Sequence, residues 1–198
     1  THNTYGEPDQ EIYCQRLDGA TGAEIGVNDF PISEMDVDAD DRRSGIQPTV
    51  VYNSNDNEYL VAWAGDDESL ANDEYEIFVQ RVSATGAEVG YDDFRISGMG
   101  PNGDRDYDAY SPSVTHNTFN NHYAVVWYGN HDLPGLHEDE EEIYMQRLSN
   151  LLLPIGTDDQ RISTTGTDGD SLMKAERPNI IYNPCLLYTS DAADECLC

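Results

Sequence analysis

The chain has 198 residues and sets 39 acidic side chains against 10 basic ones, a formal charge of -29. Such a surface repels nucleic-acid phosphates and anionic membranes, which excludes both as expected partners. With 38% hydrophobic residues and 13 tyrosines there is apolar surface to bury, which excludes simple acidic disorder.

The first element met along the chain, residues 11–33 (EIYCQRLDGATGAEIGVNDFPIS), returns at residues 76–97 (EIFVQRVSATGAEVGYDDFRIS). It returns again, eroded, at residues 142–163 (EIYMQRLSNLLLPIGTDDQRIS). Ile12, Ile77 and Ile143 align, as do Ser33, Ser97 and Ser163, and Pro48, Pro112 and Pro178, at a period of 64 to 66 residues. The repeat is the unit to count. It divides the chain into a partial unit at 1–33, units at 34–97 and 98–163, the start of a further one at 164–184, and a tail at 185–198.

Each period holds four strand-like runs. TVVY at 49–52 and YLVAW at 59–63 are β-branched and aromatic and are separated by NSNDNE, whose Asn and Asp residues favour turns. EIFVQRV follows, then the turn ATG, where Gly22 and Gly86 supply the positive φ of a tight hairpin. Asp-Phe-Arg-Ile-Ser closes the unit. The third copy has NLLLP at 150–154 in place of that turn, which reads as a remodelled or a corrupted connection. Four short antiparallel strands per period, with no helical periodicity, predict an all-β chain and a partial β-propeller of four-stranded blades. Tandem sandwiches need about seven strands and about 100 residues each, and solenoid coils are shorter.

The pattern P-x-V-x-Y-N, Y-L-V-x-W, E-I-[YF]-x-Q-R, A-T-G-A-E-[IV]-G and D-F-x-I-S resembles a tandem repeat of large secreted or surface-anchored bacterial proteins that are taken to form propellers. The resemblance covers residues 11–184. It implies an extracellular or cell-surface location, further blades in a longer parent chain, and adhesion or recognition of carbohydrate or a surface protein. Thr1 falls inside a repeat, and no signal peptide or membrane-length apolar run is present, so membrane insertion is not expected. The tail motif CLLYTSDAADEC, residues 185–196, resembles the translation of a sequencing adaptor and carries no repeat. Without the tail the acids fall to 36, and of the four cysteines only Cys14 remains, in a strand position held by Val79 and Met145 in the other copies. No disulfide framework or thiolate metal site follows.

In an antiparallel meander alternate connections emerge on one side, and here the second and fourth are the long acidic ones, at 64–75 and 128–141, and at 34–47 and 98–111. The fourth repeats an Asx-small-Asp triplet, Asp38 and Asp40, Asn102 and Asp104, Asp168 and Asp170. Carboxylates and amides in flexible loops suit calcium, which takes six to eight oxygens. Asp and Gly also make turns by bonding their own backbone, and no copy carries a complete twelve-residue calcium loop.

Arg16, Arg81 and Arg147 are expected to pair with the equally repeated Asp29, Asp93 and Asp159 as structural ion pairs. Trp63 and Trp127 read as blade core. His131 and His137, beside Asp132 and Glu138, occur in one long loop only, but their spacing matches no zinc motif; His2, His116 and His122 read as polar loop residues. There is no Gly-x-Ser-x-Gly elbow and no phosphate-cradling glycine loop, so no catalytic residue is assigned. The expected function is a non-enzymatic extracellular repeat module with an acidic, calcium-binding loop face. The alternative is a fragment of a propeller glycosidase or polysaccharide lyase, and a purely scaffolding role is the third.

Overall fold

A computed structural model describes residues 10–35, 43–66 and 74–184. The chain is all-β, with no helix among these residues. Two short strands, β1 (Tyr13–Cys14) and β2 (Phe30–Pro31), pair with each other. One four-stranded antiparallel meander follows from β3 (Ser44–Asn53), β4 (Glu58–Asp66), β5 (Glu76–Ser83) and β6 (Glu88–Arg95). A second comes from β7 (Ala109–Asn117), β8 (His122–Gly129), β9 (Glu142–Ser149) and β10 (Pro154–Arg161).

The pleat sends alternate side chains of each strand to opposite faces, and the centre of the β3–β6 sheet, at β4 and β5, is covered on both. Leu60, Ala62, Ala64, Ile77 and Val79 join Tyr123, Val125, Trp127, Tyr144 and Leu148 of the next sheet in one core. Their neighbours Val61, Trp63, Phe78 and Val82 turn the other way onto Ile12, Ile32 and Met35. That is why β4 and β5 read as near-continuous apolar runs. Trp63 and Trp127 are both fully buried, in register with Phe78 and Tyr144 on the adjacent strand. Each such side chain contributes about 1.5–3 kcal/mol of burial free energy.

Backbone details repeat with the sequence. Asn53 and Asn117 fold the first hairpin of each sheet by accepting from N–H groups two and three residues on, and Asn57 and Asn121 close it with φ of 56°. Gly22 and Gly86 take φ of 70° and 89° as expected. The NLLLP segment is not remodelled. Leu152 occupies the Gly86 position with φ 64°, and Ser149 holds it by the same two main-chain bonds that Ser83 makes. A leucine in the left-handed region costs roughly 1–2 kcal/mol, and full burial of its side chain in the inter-sheet core offsets that.

The successive units are stitched by one repeated bond across each connection. Gly45 N donates to Gln10 O, Ala109 N to Tyr75 O and Ala175 N to Glu141 O, at 2.7 to 2.9 Å.

Candidate functional site

Three glutamates organise the ends of the third and fourth strands. Glu11, Glu76 and Glu142 each accept the hydroxyl of Ser33, Ser97 or Ser163, and each also accepts the main-chain N–H two residues beyond that serine. The serine oxygen in turn accepts from the N–H of Ile12, Ile77 or Ile143. Glu76 is fully buried, and desolvation lifts its carboxyl to about 8. These latches went unread in the sequence, although a Glu and a Ser at constant spacing in all three copies was a visible signal.

The expected pairing of the arginines with Asp29, Asp93 and Asp159 does not form. Arg81 instead grips Glu58 on the adjacent strand, with Nη2 at 2.7 Å, and Arg16 donates to Thr85 O across the seam between units. The three aspartates take φ between 40° and 44°, Asp93 and Asp159 at bulges, and Gln15 and Gln80 accept the N–H of Asp29 and Asp93. A left-handed residue turns its side chain away from the ladder, and two of these carboxylates cross to the segment that leaves the last strand of the preceding sheet. Asp93 accepts from Glu34 N at 2.8 Å and Asp159 from Gly98 N at 3.0 Å. Burial, the largest cause in both, pushes Asp93 up to about 7 and Asp159 up to about 6.

The second and fourth connections do meet. Tyr75 N donates to Asp108, Asp108 N donates to the Asn130 amide oxygen, and Asp132 N donates to Met99 O. The Asn130 amide nitrogen donates to the carbonyls of both Asp106 and Glu138. Around this tie lies a cleft of about 280 Å³ bounded by Asp106, Asp108, Glu138, Asp139 and Glu141, with Arg105 and Tyr110. Burial beside Asp108 raises the Tyr110 phenol, which keeps it protonated. The cleft therefore offers carboxylates, main-chain carbonyls and an amide, the oxygen-rich set that a hard cation takes.

The two described Asx-small-Asp triplets do not line this cleft; only Asp104 adjoins it, by accepting from Asp106 N. Asn102 accepts from Arg95 at 3.0 Å and Asp168 from Arg161 at 2.8 Å. Between the triplet's ends, Gly103 and Gly169, at φ of 100° and 91°, donate to the buried carboxylates of Glu74 and Glu140. Asp104 and Asp170 accept from Asp106 N and Leu172 N within their own loops. The two described triplets are thus turns, each fastened by an arginine and a glutamate. In the later copy Arg161 Nη2 is the point on which Glu140, Glu142 and Asp168 converge, at 3.8, 3.3 and 2.8 Å. Asp38 and Asp40 lie outside the described residues.

His131 is not a plain loop residue. Its ring lies 5.5 Å from that of the buried Tyr144, its Nε2 is 4.0 Å from Asp159, and burial lowers its pKa against the opposing pull of Asp132. The Tyr144 hydroxyl and Asp159 Oδ1 are buried beside it without hydrogen-bond partners. His137, Glu138 and Asp139 are exposed and bring three donor atoms within 4.8 Å, a grouping unique among the described residues. His116 belongs to strand β7, buried against Tyr123 and bonded to Asn121. Neither a family model, nor a curated protein, nor a solved structure matches this chain.

Proposed function

We propose that the chain is a run of consecutive blades of a β-propeller-type repeat, non-enzymatic and extracellular or cell-surface, whose acidic loop face binds calcium and serves adhesion or recognition. Meander sheets packed face to face, with identical stitches from one unit to the next, support the propeller part. The single observation that carries the calcium part is the cleft in which Asn130 ties the 98–108 connection to the 130–141 connection, surrounded by five carboxylates. The proposed ligands are Asp106, Asp108, Glu138 and Asp139, while Asn102 and Asp104 shape the turn before them and Asp168 and Asp170 the corresponding turn of the next connection. Extracellular modules of this kind hold calcium with dissociation constants on the order of 10⁻⁴–10⁻³ M.

Calorimetric titration with calcium at constant ionic strength tests the reading. Binding heat and a rise in melting temperature are expected at millimolar calcium, and both are expected to vanish in the Asp106→Asn/Glu138→Gln double variant. No heat and no thermal shift at 5 mM, roughly five times the weak end of that range, would remove the calcium part.

One observation favours a second reading, a fragment of a propeller glycosidase or polysaccharide lyase. His131, Tyr144 and Asp159 come together in one unit, whereas the position of Tyr144 is held by Phe78 in the preceding unit. A glycan panel assayed with the wild type and with His131→Ala separates the two readings, since turnover that disappears with the imidazole belongs only to the second.

A further inference from the structure

The geometry points to a docking seat: the cleft between β1–β2 and the facing side of β3–β5 takes a β-hairpin of the chain's own repeat type, with strands patterned x-V-x-Y-N and Y-L-V-x-W. The cleft measures about 290 Å³ and is lined by Cys14, Leu17 and Phe30 on one wall and Val50, Tyr59 and Val82 on the other.

The molecule contains the same seam twice, once filled and once open. At the filled seam Val114 and Tyr123 of the second sheet are 8% and 1% exposed, because Leu60 and Val51 of the β3–β4 hairpin lie in the same core. Asn53 of that hairpin donates to the Tyr123 hydroxyl at 2.7 Å, and Asn55 reaches across to Thr118 O at 3.1 Å. At the open seam the residues in register with Val114 and Tyr123 are Val50 and Tyr59, which are 59% and 39% exposed. The same surface is therefore bare where no hairpin of the described residues lies on it.

The sheet edge agrees. β5 pairs with β4 over eight residues on one side and with β6 on the other, whereas β1 pairs, among the described residues, with β2 alone. A hairpin seated here would extend the β1 ladder by strand addition and cover Val50 and Tyr59 in one step. The repeat register places Thr1 opposite Asp66, the last residue of β4, so residues 1–9 hold no copy of that hairpin. A small apolar ligand would fill the volume but leave the β1 ladder open. The inference draws on the filled seam alone and requires no closed ring, so its failure and that of the propeller reading are separable.

The test adds a second copy of residues 34–65 directly before Thr1 of the full chain, which restores the register. Cys185, Cys196 and Cys198 are replaced by serine throughout, so that alkylation reports Cys14 alone. The added copy should slow Cys14 alkylation at least tenfold and protect the β1 amides from hydrogen exchange. Carrying Leu60→Asp in the added copy only, which leaves residues 10–184 unaltered, should abolish both effects. Equal alkylation rates with and without the added copy would overturn the inference, and so would undiminished protection by the Leu60→Asp copy. Cys14 protection that grows with concentration of the unextended chain would overturn it too, by giving the cleft to self-association.

Discussion

Replacing Glu76 by glutamine tests the latch through its pH dependence. The carboxyl of Glu76 ordinarily titrates near 4.5 and is lifted to about 8 by burial, so the folded chain holds a proton that the unfolded chain releases. A carboxyl raised in this way contributes stability that is fully present below the unfolded value and is lost as pH rises through the folded one. Linkage over that interval gives a loss of about 3 kcal/mol between pH 5 and pH 8. In a chain of this size that corresponds to a fall in melting temperature of roughly 6–12 °C. Glutamine cannot titrate, and it turns the bond with Ser97 around, leaving the serine proton without its acceptor at a cost of about 1–3 kcal/mol. Urea unfolding of both proteins at fixed ionic strength, from pH 5 to pH 8, supplies the assay. Wild type should be the more stable at pH 5, and the gap should close or invert by pH 8. The general repulsion of a chain at -29 acts on both proteins and cancels in the comparison. Parallel stability curves across the window would refute the reasoning.

Leu152→Gly relieves the left-handed strain but deletes a fully buried side chain, and the net loss should be about 2 kcal/mol in a thermal melt; an unchanged or higher melting temperature would show that the turn rather than the core dominates. Arg161→Gln strips the cation from a point where Glu140 and Glu142 are both buried, and about 3 kcal/mol should be lost. Millimolar calcium should restore part of that loss, which a melt with and without the ion measures. Asn53→Ala removes the acceptor of two turn N–H groups and the donor to Tyr123, and denaturant titration should register about 2 kcal/mol.

The repeat was legible because the same residues return at the same spacing, and with it came the all-β class, the hairpin glycines and the burial of both tryptophans. The two-faced burial of β4 and β5 was also written in their unbroken apolar runs. The partner of Arg81 was not legible. A strand residue has equally near neighbours on both flanks, and only the register that sets Leu60 opposite Arg81 selected Glu58 over Asp93. The role of the Asx-small-Asp triplets was half legible: their turn-making chemistry is local and the arginine ends the strand that leads into them, but the glutamate that fastens them lies 29 residues away in sequence.

What the sequence determined by itself is whatever depends on short-range conformation and alternation, since turn dihedrals and the two faces of a strand are set by residues within a few positions. What only the tertiary structure decided is the company kept across seams. Asp159 reaches Gly98 because the two four-stranded sheets pack against each other in one core. Leu152 accepts a glycine's backbone because the neighbouring sheet buries its side chain. Those outcomes follow from the meeting of two surfaces, and no single stretch of chain encodes both sides of the contact.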